Sequence, residues 1–412
     1  MTSLGGVRVS GARLLARLDE LALVGPIDGG GSCRLALTDA DRDGRDLVVT
    51  WMRDLGLDVV VDAVGNVVGT WQVGEGRPVM TGSHIDTVRT GGRFDGNLGV
   101  LAGIEVIETL MQAGLTPPRP LAVAFFTNEE GARFQPDMLG SLVYVGGMSV
   151  EEALDARAID GPRLGDELER IGYRGPLPCP ASPPAAFVEL HVEQGRGLID
   201  LGHAVAVGTA ILPHGRWRID IGGQPNHAGT TRMADRRDPM VVFARLVLAA
   251  QAEAAERDIA TRAARATIGK VACTPNAVNA VPAHVTGWLD ARAEDEETLD
   301  ALLESIARDI ATPGITVTVT EESRTPAQYF DVTLSEHVAG LMPGTPLLAT
   351  GAGHDAGVLA EAGVPAAMLF VRNPTGISHS PEEHAEDADC ETGGRVLADV
   401  LADLLTADTL PR

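Results

Sequence analysis

The chain has 412 residues, more than one hydrophobic core comfortably serves, so two compact units are expected. With 44% apolar and 22% charged residues it reads as a globular chain, and no apolar stretch approaches the length of a membrane span. A formal charge of -24 without any Lys/Arg-rich run would repel phosphate backbones and excludes nucleic acid as a partner, while Cys33, Cys179, Cys273 and Cys390, scattered with no C-x-x-C pair, argue against a thiolate zinc site and suit a reducing compartment.

The first seventeen residues lack the charged start, apolar centre and cleavage site of a secretory signal, so the expected location is the cytoplasm. From 37 to 127, helix-like and strand-like segments alternate, with apolar runs at 57–61, 79–80 and 121–126 and a helical pattern at 98–112. This βαβ order predicts a mostly parallel sheet covered by helices on both faces, with catalytic side chains on loops at the carboxyl ends of strands.

The strand around Val79 and Met80 leads into Gly82-Ser83-His84-Ile85-Asp86-Thr87 and then Gly92-Arg93-Phe94-Asp95-Gly96-Asn97. A strand-end histidine and an aspartate eleven residues later can meet at one ion because the glycine-rich segment between them can fold back, and Asp86 can take the other imidazole proton. Taken alone, the same residues also describe a turn before a helix. The run 121–126 leads into Thr127-Asn128-Glu129-Glu130-Gly131. Adjacent residues leaving a strand diverge, so one glutamate can bind a metal while the other faces a water; a pair of exposed loop glutamates is the plainer reading.

Past a Pro-rich loop at 176–184, a strand at 187–190 runs into Glu189-Leu190-His191-Val192-Glu193-Gln194-Gly195. A different rhythm begins near Pro213: strand 216–221, helix 239–257, strands 267–273 and 285–291, helix 295–311 and strand 315–320. That order is the split βαβ, ferredoxin-like unit. The expected organisation is therefore a small domain at 213–326 inserted into a catalytic domain built from 1–212 and 327–412. Within the small domain, the polar run Gln224-Pro225-Asn226-His227-Ala228-Gly229-Thr230-Thr231 follows a strand directly, Asn279 lies in the connection 276–282, and Arg292 ends the next strand. Lys270 is the only lysine; it fails the Walker A pattern and is the sole candidate for Schiff-base chemistry.

Beyond the insertion come a strand at 347–350, the run Gly351-Ala352-Gly353-His354-Asp355-Ala356, a strand at 366–371, the loop Gly376-Ile377-Ser378-His379-Ser380-Pro381-Glu382-Glu383 and a helix at 390–405. The Gly-Ala-Gly run is a weak phosphate-loop signal without a dinucleotide fingerprint. A single histidine in any one of these loops is more often structural than ligating. Four loops at strand ends, supplying His84, Asp95, Glu130, His191 and His379, change that balance. Three imidazoles and two carboxylates suit borderline divalent ions, and one carboxylate can bridge two of them.

The motifs at 82–86, 94–96, 127–134, 189–195, 226–231 and 376–379 resemble those of the N-carbamoyl-L-amino acid hydrolases, a family grouped with the allantoate amidohydrolases and β-ureidopropionases inside a larger class of co-catalytic metallopeptidases. The likeness runs in order from about residue 15 to residue 405. It implies two divalent metal ions per subunit (zinc, manganese, cobalt or nickel), with His84 and Glu130 as terminal ligands on different metals, Asp95 as the bridge, His191 and His379 completing the pair, and Glu129 as general base. It implies a cis peptide after Asp95. It also implies a homodimer joined through the small domain, which doubles as a lid, with His227 reaching the partner's site to stabilise the oxyanion. Gln194, Asn279, Arg292 and His354 would contact substrate, Asn279 and Arg292 gripping its carboxylate. Phe94 stands where many relatives carry leucine.

The expected substrate is an N-carbamoyl-L-amino acid or related linear ureido acid, cleaved to amino acid, ammonia and carbon dioxide. The same metals would serve a dinuclear aminoacylase or dipeptidase acting on N-acyl amino acids, or an allantoate amidohydrolase. A metal-dependent binding protein would have no need of Glu129, and a serine hydrolase would show a G-x-S-x-G elbow, which is missing here.

Overall fold

The computed structural model describes residues 8–258, 263–407 and 409–410. Along the chain the strands are β1 (Asp58–Val61), β2 (Val67–Trp71), β3 (Val79–His84), β4 (Leu121–Phe126), β5 (Ala186–Val192), β6 (Val205–Ile211), β7 (His214–Gly222), β8 (Asn226–His227), β9 (Ala264–Thr274), β10 (Ala280–Val281), β11 (His284–Ala293), β12 (Thr316–Thr325), β13 (Gln328–Tyr329), β14 (Leu347–Thr350) and β15 (Ala366–Val371). The chain divides into two compact units, Met1–Ala210 with Tyr329–Arg412, and Ile211–Gln328.

The larger unit is built on a sheet of order β1-β2-β4-β3-β5-β15-β6-β13, with β14 beside β6. Its centre is parallel, from β4 through β3 and β5 to β15. These four strands are buried along their whole length, and their near-continuous apolar sequences, such as LAVAFF and AAMLFV, are what a strand covered on both faces requires. The expected mostly parallel sheet is thus found at the centre, whereas β1–β2, β2–β4 and β15–β6 are antiparallel. The reason for β1–β2 is loop length: residues 62–66 are too few for a crossover helix, so only a hairpin can join these strands.

The helix Asn97–Gln112 is buried on nearly every side, because the sheet covers one face and the helices Gly11–Ala22 and Asp387–Thr406 cover the other. Gly99 lets it lie directly on β5: a Cβ there would stand 2.2 Å from the Leu190 carbonyl oxygen. The helix therefore starts at a fixed height above the strand ends, immediately after Asp95. No described helix is long and apolar enough to cross a membrane.

The smaller unit is a four-stranded antiparallel sheet of order β12-β7-β11-β9, carrying the helices Pro239–Arg257 and Glu296–Ile310 on one face. Counting its own strands, the order is 4-1-3-2 around two crossover helices, the split βαβ arrangement. Trp217, Ile219 and Ile221 alternate inward from β7 to meet Val242 and Leu246 of one helix and Leu299, Leu302 and Ile306 of the other. Asp238 and Asp295 cap the two helices through their side chains, and Pro239 takes a first-turn position where its missing N–H is not needed.

Candidate metal centre and active site

The parallel ladder sets the ends of its strands side by side: His84 is level with Phe126 across β3–β4, and His191 is level with Phe370 across β5–β15. The loops that follow therefore open on one edge of the sheet, as expected for such folds. Each strand-end histidine is held by a carbonyl. His84 Nδ1 donates to the Asp86 main-chain oxygen at 2.9 Å and His191 Nδ1 donates to the Val192 oxygen at 2.8 Å. Because a carbonyl only accepts, both rings carry a proton on Nδ1, and Nε2 is the atom each ring turns toward the neighbouring groups. The expected role of Asp86 is thereby corrected. Its carbonyl, rather than its carboxylate, fixes the His84 tautomer, and its carboxylate accepts the Glu129 N–H at 3.3 Å.

Asp95 lies between two groups of potential ligands. Its Oδ1 is 3.4 Å from His84 Nε2 and 3.2 Å from His191 Nε2, and its Oδ2 is 3.7 Å from His379 Nε2, which is itself 3.2 Å from Glu130 Oε2. The set divides into His84, Asp95 and His191 on one side and Asp95, Glu130 and His379 on the other, with Asp95 common to both. In a tetrahedral site with bonds near 2.0–2.1 Å, ligand atoms stand about 3.3 Å apart, so these separations are those of ligands around an ion. Two further observations favour a cation. Glu130 Oε1 is buried with no hydrogen-bond partner, a costly state for a carboxylate unless an ion satisfies it. Burial pushes the His84 imidazolium down, yet Glu129, Asp95 and Asp86 around it more than reverse that and hold it well above its ordinary value, so the cluster attracts positive charge. The residues present fit a divalent metal pair.

The cis peptide expected after Asp95 is not found: the cis bonds of the described residues precede Pro136, Pro180 and Pro275. The Gly96 N–H instead donates to His191 Nε2 at 3.1 Å, a contact that an ion taken up by His191 would replace. Gly96 has φ +65°, and a Cβ there would stand 2.5 Å from the His84 ring, so only glycine fits.

Glu129 is buried beside this set, its Oε2 3.5 Å from His84 Nε2. Burial first, opposed by His84 and reinforced by Asp355, Glu130 and Asp95, holds its carboxyl well above the usual carboxylate range. The turn that presents Glu129 and Glu130 is braced from within. Asn128, at φ +58°, donates to the carbonyls of Phe134 and Pro136 and accepts the Phe134 N–H. Beneath it, buried Arg45 pairs with Asp41 and donates to the Gly65 carbonyl and to Thr127 Oγ1.

Gln194 donates to Asp95 Oδ2 at 2.9 Å and leaves its Oε1 buried without a partner. His354 is buried edge-on against His191, ring centroids 4.6 Å apart, with neither ring nitrogen hydrogen-bonded. Burial, reinforced by His191, holds its pKa well below the ordinary imidazole value. Both residues thus keep free polar atoms beside the ligands. Glu383 and Ser378 carry no signal of their own in the sequence, although both lie in the loop that carries His379. Glu383 accepts the N–H groups of Phe94 and Asp95 at 2.9 and 3.1 Å, and Ser378 Oγ donates to Asp95 Oδ2 at 3.3 Å. The signal available was an acid soon after a ligand-bearing loop, but Glu382 carries the same signal and is exposed.

His227, Asn279 and Arg292 belong to the smaller unit. His227 is exposed on β8, and its Nδ1 accepts the Gly229 N–H at 3.1 Å, which leaves the proton on Nε2 and makes that atom a donor. Asn279 is its neighbour: β8 and β10 pair His227 with Ala280, and the Ala228 N–H donates to the Asn279 carbonyl at 2.9 Å. Arg292 is opposite His214 at the far end of β11, where Asp290 holds its guanidinium. From His284 to Arg292 the strand advances roughly 26 Å at about 3.3 Å per residue, so Arg292 lies at the end of β11 away from the connection that carries Asn279.

Residues 80–403 match the model of peptidase family M20/M25/M40. The chain is similar to an N-carbamoyl-L-amino acid amidohydrolase of Geobacillus stearothermophilus, with 37% identity over 94% of this chain and 97% of that one. It is also similar to an allantoate amidohydrolase of Bacillus subtilis, with 32% identity over 93% and 95%. Among solved structures, a hydantoinase/carbamoylase family amidase from Burkholderia multivorans superposes with a TM-score of 0.88 at 36% identity, covering 98% of this chain and all 100% of that one. Fold, site and sequence agree that the chain belongs to peptidase family M20/M25/M40 and, within it, to the hydantoinase/carbamoylase amidases.

Proposed function

We propose that the protein is a two-metal amidohydrolase that cleaves the amide bond of N-carbamoyl-L-amino acids or related linear ureido acids, releasing the amino acid, ammonia and carbon dioxide. The observation that carries this reading is one carboxylate, Asp95, shared by two ligand groups, with the buried base Glu129 beside them. The similarity to N-carbamoyl-L-amino acid and allantoate amidohydrolases supports the substrate class. His84, Asp95 and His191 would hold one divalent ion and Asp95, Glu130 and His379 the other; zinc, manganese, cobalt and nickel all suit such donors. When bound, the pair supplies water acidified toward neutrality and Lewis-acid polarisation of the scissile carbonyl.

The chain's own residues do the rest. Glu129 takes a proton from the attacking water and returns it to the leaving nitrogen. Gln194 and His354 offer unpartnered polar atoms to substrate. His227, with its proton on Nε2, donates to the developing oxyanion.

The separation of Asn279 from Arg292 favours a site completed by two chains, His227 and Asn279 coming from one protomer and Arg292 from the other. The smaller unit would then serve as lid and dimerisation domain. Its helix Pro239–Arg257 exposes Val241 and Leu248, seven residues apart on one face, an apolar surface suited to a partner. Delivery of His227 in trans makes two inactive variants complementary. Mixing Glu129→Gln with His227→Ala under subunit exchange should convert about half of the dimers to mixed ones, each with one intact site, and restore roughly a quarter of wild-type activity. Mixed dimers verified by native mass spectrometry but no more active than the parents would place His227 in its own chain's site or outside the chemistry.

The substrate assignment is tested by following ammonia release from N-carbamoyl-L-amino acids, N-carbamoyl-β-alanine and allantoate, and acetate release from N-acetyl-L-amino acids, each with metal supplied. Ammonia from the first group is expected. Cleavage of the N-acetyl substrates alone would replace the proposed function with an aminoacylase.

A further inference from the structure

The two halves of the ligand set are supported unequally. His84 and His191 end buried strands of the sheet and have their Nδ1 atoms committed to carbonyls, so their positions follow from the fold. His379 has no such support. It lies in the loop after β15, its side chain is 51% exposed, and its φ of +55° is in the left-handed region, which residues other than glycine adopt uncommonly even though histidine does so more than most. Something outside the ring must hold that loop against the ligands it faces.

The Thr90 hydroxyl donates to the His379 carbonyl at 3.0 Å, but this contact is exposed. The buried contact is Glu383, four residues further on, which is 5% exposed. Its Oε2 accepts the main-chain N–H groups of Phe94 and Asp95 at 2.9 and 3.1 Å, across 289 and 288 residues of sequence. Its own N–H returns to the Ser380 carbonyl at 3.0 Å, closing the turn 380–383 that directly follows His379. Gly92 makes room for the carboxylate, since a Cβ there would stand 2.2 Å from Glu383 Oε2. One buried side chain therefore ties the loop that carries His379 to the peptide groups that carry Asp95.

We propose that Glu383 is a positioning residue that sets the occupancy of one of the two ion positions, the one formed by Asp95, Glu130 and His379, while leaving the one formed by His84, Asp95 and His191 largely intact. This rests on the two-ion reading above. Carboxylates that orient ligands from outside commonly contribute 10- to 100-fold to metal affinity, and a contact that joins the main-chain N–H groups of Phe94 and Asp95 to the turn directly after His379 places that effect on the position which depends on the loop. The first position keeps its strand-borne histidines whatever the loop does.

The test is metal binding itself. Purified wild type, Glu383→Gln and Glu383→Asp are stripped with a chelator and titrated with cobalt against a competing chelator, with visible absorption and elemental analysis reporting ions per chain. Circular dichroism and thermal unfolding report the fold. Wild type should take up two ions. Glu383→Gln should keep one near wild-type affinity and bind the other about 10- to 100-fold more weakly. Glu383→Asp, which keeps the acid on a shorter arm, should fall between the two and covers the case in which the glutamine variant does not fold. Two ions bound by a folded variant with wild-type affinity, or equal weakening of both, would overturn the proposal for Glu383. A wild-type chain that binds fewer than two ions would instead overturn the two-ion reading on which it stands.

Discussion

Glu129→Gln should lower kcat by roughly 10²–10⁴-fold or more, the contribution of a general acid-base group together with the lost return of its proton, while metal content stays at that of the wild type. The substitution is isosteric and keeps the main-chain N–H that Asp86 accepts, so the turn carrying Glu130 should not move. Glu129 belongs to neither ligand group, which is why loss of chemistry without loss of metal is expected. An interaction needed only in the transition state lowers kcat and kcat/KM together and leaves KM nearly unchanged. Steady-state kinetics on the best ureido substrate, paired with elemental analysis, decides the matter. Turnover within a few-fold of wild type would remove Glu129 from the mechanism.

Asp95→Ala should strip both ions, because Asp95 is the one residue common to both ligand groups. Its two oxygens face different partners, Oδ1 the rings of His84 and His191 and Oδ2 the ring of His379, so one truncation opens both positions. His84→Ala and His379→Ala, which each remove a ligand from a single group, should retain part of the metal. Dialysed samples analysed for metal, with circular dichroism to confirm the fold, distinguish these cases. Two tightly held ions in a folded Asp95→Ala protein would show that Asp95 is not the bridge.

Features whose physical cause is local are legible in the order of residues alone. The helix Pro239–Arg257 begins at Asp-Pro because an aspartate caps and a proline suits the first turn, and its observed limits are those the pattern implies. β4 and β15 are legible as short unbroken apolar runs, and His84, Glu130, His191 and His379 stand out as candidates because polar side chains able to hold a metal end such runs or lie in the loop beyond them. Tertiary structure decided whatever depends on groups distant in sequence. The carbonyl of Asp86 holds His84 while its carboxylate holds Glu129, a division of labour that residue types cannot reveal since every residue has a carbonyl. Asn279 and Arg292 are close in sequence, yet Asn279 precedes β11 and Arg292 stands near its far end, because an extended strand carries its ends apart. Glu382 and Glu383 are chemically identical neighbours, and only packing against residues 94 and 95, nearly three hundred positions earlier, turns one into the interior and leaves the other in solvent.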